Sequence, residues 1–249
     1  MHNLICLTVD IEWANPEVLA DVLRLLDERK LRATFFCTHA GINVPGHERA
    51  LHPNFRRSGD TVQSFRKVGT ALDDRADRDI YKYVVQATHV FCPEAVGVRA
   101  HSLFYDSELL VFYHQAGLQY DSTYLLPLVP NLSPVWKEND ILEMPVYYMD
   151  HIDLMMQITG FGLDGLRLDQ PGLKVFDFHP NMIFVNAVTN AQYLESKPYY
   201  RNYEQLLRLR YPGRGVRTLF VELLDWIAAR QLYTATLAEL NSMVRTPRE

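Results

Sequence analysis

Residues 4–13, LICLTVDIEW, contain the stretch that decides the fold: an apolar run that ends at Asp10, with Glu12 two residues further on. A short apolar run that ends in polar residues is typical of a buried strand in a parallel sheet. Pro16 then begins the segment PEVLADVLRLLDERK, in which apolar residues recur at helical spacing. The start of the chain therefore predicts a strand followed by a crossover helix, which is the repeating unit of an α/β fold.

The same alternation continues along the chain and predicts a barrel. Further strands are predicted over residues 33–38, 48–52, 95–101, 120–126, 141–148, 174–179 and 232–235. Further helices are predicted over residues 60–71, 79–91, 106–116 and 216–230, and from Leu237 onwards. Seven or eight strand–helix units in 249 residues favour a closed α/β barrel over an open sheet. Since no linker or internal repeat interrupts the pattern, residues 1–249 are expected to form a single domain.

Composition and charge exclude several classes of protein. Hydrophobic residues make up 48% of the chain and charged residues 22%, which is typical of a globular protein and not of a disordered one. The net charge of -5 argues against a nucleic-acid partner, and no apolar run is long enough to predict membrane insertion. The three cysteines form no CxxC pair and the first residues do not resemble a secretory signal, so a cytoplasmic location is expected.

Ionisable and polar residues collect where the predicted strands end. Four pairs with a spacing of two occur there: Asp10 and Glu12, His52 and Asn54, Arg99 and His101, and Asp177 and His179. This spacing places both members of a pair on one side of a strand. Because the active sites of α/β barrels lie at the carboxyl ends of the strands, the four pairs are expected to share one cleft. Arg99 would be costly to bury without a carboxylate, and Asp10 is the best candidate partner.

These residue types predict hydrolysis assisted by a metal ion. A carboxylate, a histidine and an amide or second carboxylate suit Zn²⁺ or a similar divalent ion, which activates water and polarises a carbonyl. A carboxylate that does not bind the metal can accept a proton, and a histidine can protonate a leaving amine. The chain contains no GxSxG, P-loop or GxGxxG motif, so serine-hydrolase and nucleotide-dependent chemistry have no support.

In their order along the chain, these residues resemble the NodB-like polysaccharide deacetylases of carbohydrate esterase family 4. LTVDIEW is similar to the first family motif, and the resemblance makes Asp10 the catalytic base and Glu12 a metal ligand. GHERALHPNF is similar to the second motif, in which His52 matches the first histidine of H-x-x-x-H. The second histidine would fall at Arg56, so Asn54 is expected to replace it as a ligand; a water ligand, or no metal at all, are the alternatives.

Three later segments are similar to the remaining family motifs. GVRAHS contains Arg99, which corresponds to the arginine that orients the base. EMPVYYMDHID contains Asp150, which is expected to support the catalytic histidine, and VFDFHPNMIFVN contains that histidine, His179, as the general acid. The resemblance implies a distorted (β/α)7 barrel. We further expect His101 and Trp13 to contact the substrate.

The resemblance implies a carbohydrate deacetylase. We expect a hydrolase that uses a divalent metal, Zn²⁺ in the first place, and removes an N-acetyl or N-formyl group from a sugar. The expected substrate is a nucleotide-linked or lipid-linked saccharide, a precursor in surface-polysaccharide biosynthesis. The alternative is an inactive barrel that binds a saccharide or a pathway partner, which the missing second histidine would explain. An amidohydrolase or phosphatase with two metals fits less well, because His52 is the one histidine assigned to the early strand ends.

Overall fold

The computed structural model describes residues 4–68 and 76–246, and its centre is a curled sheet. The strands of these residues are β1 (Ile5–Asp10), β2 (Ala33–Cys37), β3 (Glu48–Leu51), β4 (Gly97–Val98), β5 (Tyr120–Asp121), β6 (Val135–Trp136), β7 (Leu142–Glu143), β8 (Val146–Met149) and β9 (Lys174–Phe178). They follow the order β6-β7-β5-β4-β3-β2-β1-β9-β8 in one sheet. Neighbouring strands are parallel except for the pair β6–β7, which is antiparallel.

The segment that follows β5 joins that side of the curled sheet to β8, the strand at its far edge. Leu125 forms a parallel bridge with Val146 of β8. The Val146 N–H donates to the Tyr124 carbonyl at 2.8 Å, and the Leu126 N–H donates to the Val146 carbonyl at 2.9 Å. Strands β1 to β5 with β8 and β9 thus surround the interior, and β6 and β7 continue the sheet beyond β5. The distorted (β/α)7 barrel expected from the sequence is confirmed, as a single domain.

Helices cover the outside of the sheet. They are α1 (Pro16–Asp27), α2 (Asp60–Val68), α3 (Ala76–His89), α4 (Ser107–Gln115), α5 (Asp150–Met156), α6 (Pro180–Val185), α7 (Asn190–Ser196), α8 (Tyr203–Arg208), α9 (Val216–Ala229) and α10 (Leu237–Arg245). Helix α1 begins as the sequence predicts, because the Asn15 side chain accepts from the Val18 N–H and Pro16 occupies the first turn. None of the helices in the two described segments is long and apolar enough to cross a membrane.

Several predicted elements differ from the observed ones for local reasons. The single strand predicted over residues 141–148 is two strands, β7 and β8, because Pro145 between them has no N–H to donate. The strand predicted over residues 232–235 is wrong: Thr234 makes one bridge to Ile5, and Thr236 then caps α10. The helix predicted over residues 60–71 is α2, and its last three positions, 69–71, lie outside the described residues.

The alternation of side chains along β1 separates the core from the site. Ile5, Leu7 and Val9 pack in the large core between the sheet and the helices. Cys6 packs inside the barrel, in a smaller cluster that also contains Tyr120. Since strand residues two apart share a face, Thr8 and Asp10 follow Cys6 on the inner face, towards the carboxyl end of the strand.

Replacing Gly97 by Ala should destabilise the protein, because the barrel interior is filled at this point. A Cβ on Gly97 would overlap with the ring of Tyr120, which is fully buried and whose hydroxyl donates to Glu48 at 2.6 Å. We expect Gly97→Ala to lower the free energy of unfolding by about 1–3 kcal/mol, measured by urea denaturation. The control is Gly162→Ala, whose Cβ would lie 3.8 Å from the nearest atom, the Thr159 carbonyl oxygen. Equal unfolding midpoints for the two variants would contradict this account of the interior.

Candidate active site

Arg99 lies at the centre of the site and joins the ends of several strands. Its side chain is fully buried. Nη1 donates to Asp10 Oδ1 at 2.9 Å, to Asp177 Oδ1 at 2.5 Å and to Thr8 Oγ1 at 2.8 Å. Nε and Nη2 donate to the carbonyl and the hydroxyl oxygen of Ser122, both at 2.8 Å. The expected pairing of Arg99 with Asp10 is therefore present, and Asp177 is a second partner.

The pKa values of the two carboxylates that share Arg99 are shifted in opposite directions. Burial raises the pKa of Asp177 well above its usual value, and the nearby charge of Asp10 raises it further against the effect of Arg99. Burial also opposes the charge on Asp10, but the interactions with His52 and Arg99 outweigh burial and lower the pKa of Asp10. These opposite pKa shifts favour the charged form on Asp10 rather than on Asp177.

Glu12, His52 and His101 form a group that can hold a metal ion. Their candidate ligand atoms lie within 4.8 Å of one another. His101 Nδ1 is 3.1 Å from Glu12 Oε1 and 3.4 Å from His52 Nε2. Ligand atoms bound tetrahedrally to zinc, at about 2.0–2.1 Å from the ion, are about 3.3 Å apart. Two imidazoles and one carboxylate also form a known ligand set of catalytic zinc sites, so the residues present fit such an ion.

The structure places Asn54 and His101 differently from the expectation. His101, expected as a substrate contact, lies in the group with Glu12 and His52. Asn54, expected as a ligand, uses its Oδ1 to accept from the Arg56 N–H at 3.0 Å within the turn after β3. Strands β3 and β4 are neighbours in the sheet, which brings the residues that follow them together. The spacing of two between Arg99 and His101 was the sequence signal for this placement.

His179 is held by Asp150 on the other side of the site. His179 Nδ1 is 2.6 Å from Asp150 Oδ1, and the His179 backbone N–H donates to Asp150 Oδ2 at 2.8 Å. The Nε2 atom of His179 lies 3.7 Å from Glu12 Oε1. Burial opposes a charge on His179, but the carboxylates of Asp150 and Glu12 outweigh burial and raise the pKa of His179 well above its usual value. The histidine is therefore fixed in orientation, and the two carboxylates favour its protonated form.

A strained turn directs Glu12 into the site. Glu12 and Trp13 follow β1 with φ angles of 42° and 58°, in the left-handed region that residues with a Cβ rarely adopt. The Tyr193 hydroxyl donates to Glu12 Oε2 at 3.4 Å. Burial opposes the charge of Glu12, but His179 and His101 outweigh burial and lower the pKa of Glu12. Backbone strain of this kind persists where surrounding contacts fix the residue, as at functional sites.

Most of these residues line one cavity, which has a volume of about 470 Å³. It is lined by six of the residues selected from the sequence: Asp10, Glu12, Trp13, Asn54, His101 and His179. Arg99, Asp150 and His52 are buried behind these residues. The sequence did not single out His151, Arg56 or Lys197, which also line this cavity.

Sequence comparison identifies the family of this chain. A family model described as "WbmS-like: Polysaccharide deacetylase" matches residues 7–197. The chain belongs to this family. The resemblance to polysaccharide deacetylases that the sequence motifs indicated is therefore confirmed. No curated protein gives a significant match to the chain.

Solved structures share the fold. A Bordetella bronchiseptica protein, described as a polysaccharide deacetylase involved in O-antigen biosynthesis, is 27% identical, with a TM-score of 0.74 and 90% of each chain covered. A Mycobacterium smegmatis protein, described as a polysaccharide deacetylase, is 18% identical, with a TM-score of 0.55; 99% of this chain and 92% of that chain are covered.

Metal analysis of variants will decide between His101 and Asn54 as the third ligand. We expect the wild-type protein, loaded with Zn²⁺ and dialysed, to retain a bound ion by mass spectrometry. His101→Ala should lose the ion because it removes an imidazole of the group with Glu12 and His52, whereas Asn54→Ala should retain it. Loss of the ion from Asn54→Ala together with retention in His101→Ala would reverse this assignment.

Removing the buried guanidinium of Arg99 should lower the free energy of unfolding far more than removing a guanidinium on the surface. Arg99→Met leaves Asp10 and Asp177 without their cation, and we expect a loss of about 3–5 kcal/mol in the free energy of unfolding. The control is Arg24→Met, since Arg24 pairs with Asp21 and Glu28 on the surface; surface pairs contribute about 0–1 kcal/mol. Chemical denaturation measures both changes, and similar losses would show that Arg99 does not organise the site.

Proposed function

We propose that the chain is a metal-dependent hydrolase that removes an N-acyl group, acetyl or formyl, from a sugar precursor of a surface polysaccharide. One observation carries this proposal: the group of Glu12, His52 and His101 has the carboxylate of Asp10 on one side and the imidazole of His179, held by Asp150, on the other. His52 Nε2 lies 3.7 Å from Asp10 Oδ2, and Glu12 Oε1 lies 3.7 Å from His179 Nε2. Family membership and the O-antigen relative support the class of substrate.

Glu12, His52 and His101 are the residues that would hold the ion, with Zn²⁺ as the proposed metal. A bound divalent ion supplies an activated water and polarises the acyl carbonyl. A second group, Asp10 with Asp177 and His179, also has ligand atoms close together. It does not fit a cation, because the Arg99 guanidinium already binds both of its carboxylates.

Asp10 and His179 supply the proton transfers of amide hydrolysis. The Asp10 Oδ1 atom is bound by Arg99, which leaves Oδ2 on the side of His52 to accept a proton from the attacking water. The water oxygen bonds to the acyl carbon, and His179 Nε2 donates its proton to the sugar nitrogen as the carbon–nitrogen bond breaks. The products are a free carboxylate and an amino sugar. Arg99 and Asp150 fix the base and the acid before substrate binds.

Trp13 provides a surface for the sugar. Its side chain is 39% exposed, although it packs edge-on against His101 with 5.4 Å between the ring centroids. An exposed indole beside reactive groups suits the apolar face of a sugar ring. We propose that the substrate sugar packs on Trp13 with its acyl group directed towards His101 and Glu12. The sugar is a nucleotide-linked or a lipid-linked precursor in this proposal.

The alternative of an inactive saccharide-binding barrel rested on the missing histidine at position 56. His101 supplies a second imidazole beside His52, so the reason for that alternative is weaker than the sequence indicated. A protein that only binds a saccharide also has no need of a buried arginine that favours the charged form of Asp10. The alternative remains an outcome of the activity test.

Substitution of the proposed base and acid should abolish most of the turnover. The assay follows release of acetate or formate from N-acetylated and N-formylated nucleotide sugars in the presence of Zn²⁺. We expect Asp10→Asn and His179→Ala each to lower kcat by about 10²–10⁴, because positioned acids and bases contribute that factor. The matched control is Asp225→Asn, since Asp225 lies on α9 and pairs with Arg29 on the surface.

Two results would contradict the proposal. Wild-type turnover in Asp10→Asn, with unchanged circular dichroism, would remove Asp10 from the mechanism. Saccharide binding by the metal-loaded wild-type protein, with no acid released on long incubation, would favour the inactive barrel.

A further inference from the structure

Two exposed cations line the cavity beside the candidate metal group. Arg56 lies in the loop after β3, and Lys197 lies at the end of α7. Lys197 Nζ is 4.9 Å from the ring centroid of Tyr193, and the Tyr193 hydroxyl contacts Glu12. The side chain of Tyr193 therefore connects Lys197 to Glu12. Arg56 lies in the same loop as Asn54.

The carboxylates of this cavity cannot neutralise the two cations. The carboxylates that line it are Asp10 and Glu12, and each is already bound by cationic or imidazole groups at the floor. Among the described residues, neither the guanidinium of Arg56 nor the ammonium of Lys197 forms an ion pair. A metal ion at Glu12 would add positive charge to the same cavity. The cavity is therefore complementary to a ligand with negative charge.

Several surface arginines elsewhere are paired with acids, whereas Arg56 shares the lack of an ion pair among the described residues with others such as Arg57 and Arg167; what distinguishes Arg56 is its place in the lining of this cavity. Arg24, Arg32 and Arg214 are about half exposed, and each lies within 2.9 Å of a carboxylate oxygen. A guanidinium that pairs with no acid in the described part of the chain and lines a reactive cavity can bind anionic oxygens in a bidentate manner. A neutral sugar would gain little from it.

A second cavity, which adjoins the first, can hold the rest of the substrate. It has a volume of about 550 Å³ and shares Trp13 and Asn54 with the first cavity. Its charged lining residues are Glu17, Asp60 and Arg201, so it has no excess of positive charge. A ligand that carries both an anion and a neutral portion can therefore place the anion at Arg56 and Lys197 and extend past Trp13.

We propose that the sugar substrate carries an anionic group, a phosphate or a carboxylate, and that Arg56 and Lys197 bind its oxygens in the first cavity. This inference rests on the proposed function, because it names the class of sugar that the same site accepts. Phosphate occurs in sugars activated at C1, and carboxylate occurs in uronic acids. Both offer the oxygens that a guanidinium and an ammonium bind.

Titration calorimetry with charged and neutral sugars tests the inference without requiring turnover. The ligands are N-acetylglucosamine, its 1-phosphate, UDP-N-acetylglucosamine and N-acetylglucosaminuronic acid, each with the Zn²⁺-loaded protein. We expect at least one anionic ligand to bind about tenfold or more tightly than the neutral sugar, and the advantage should shrink at high ionic strength. A gain with the two phosphates identifies phosphate, a gain with the uronic acid identifies carboxylate, and a gain with UDP-N-acetylglucosamine alone identifies the nucleotide-linked diphosphate.

The double variant Arg56→Gln/Lys197→Gln should bind the neutral sugar as the wild type does and lose the preference for the anionic one. The matched control is Arg57→Gln, because Arg57 is exposed next to Arg56 but does not line either cavity. Circular dichroism and the melting temperature establish that the double variant is folded. Equal affinities for neutral and anionic sugars in the wild type, or an unchanged preference in the double variant, would overturn the inference.

The two proposals fail in different ways. If anionic sugars bind preferentially and no acyl acid is released, the proposed function fails and the anion site stands. If neutral N-acyl sugars are bound and hydrolysed as well as anionic ones, the function stands and the anion site is overturned.

Discussion

The buried guanidinium of Arg99 binds Asp10 from β1, Asp177 from β9 and Ser122 from the segment after β5. A charge in a barrel interior is tolerated only when it is paired and hydrogen-bonded, so the ends of these strands must converge on Arg99. One cation cannot fully neutralise two carboxylates at such distances. The burial of Asp177 raises its pKa, the pKa of Asp10 is lowered, and the charge is therefore favoured on Asp10. Arg99 therefore holds the carboxyl ends of these strands together and also favours the charged form of Asp10, the proposed base.

The site is a continuous series of acids and imidazoles. Asp10 approaches His52, His52 approaches His101, and His101 contacts Glu12. Glu12 in turn approaches His179, which Asp150 holds from behind. Each group is oriented by its neighbour, so the proposed metal ligands and the proposed acid and base form one preorganised network. Such preorganisation is a major source of catalytic rate enhancement.

Sequence patterns predicted those parts of the structure that depend on residues close together in the sequence. The apolar run before Asp10 predicted β1, and the spacing of two predicted which residues would share its inner face. The cost of burying Arg99 predicted its pairing with Asp10. The same spacing of two predicted that His52 and His101 would share one cleft. By contrast, the direct contact between the two imidazoles depends on the pairing of β3 with β4 across a long connection, which no local pattern encodes. Helices such as α5 and α6 also escaped prediction, because six or seven residues are too few to show a helical period.

The central claim is that Glu12, His52 and His101 form the metal site of this polysaccharide deacetylase-family barrel. Anomalous diffraction from crystals grown with Zn²⁺, measured at the zinc absorption edge, tests it most directly. The account predicts a peak within bonding distance of Glu12 Oε1, His52 Nε2 and His101 Nδ1, with Asn54 still bound to the Arg56 N–H. A peak between Asp10, Asp177 and His179, or coordination by Asn54 in place of His101, would contradict it.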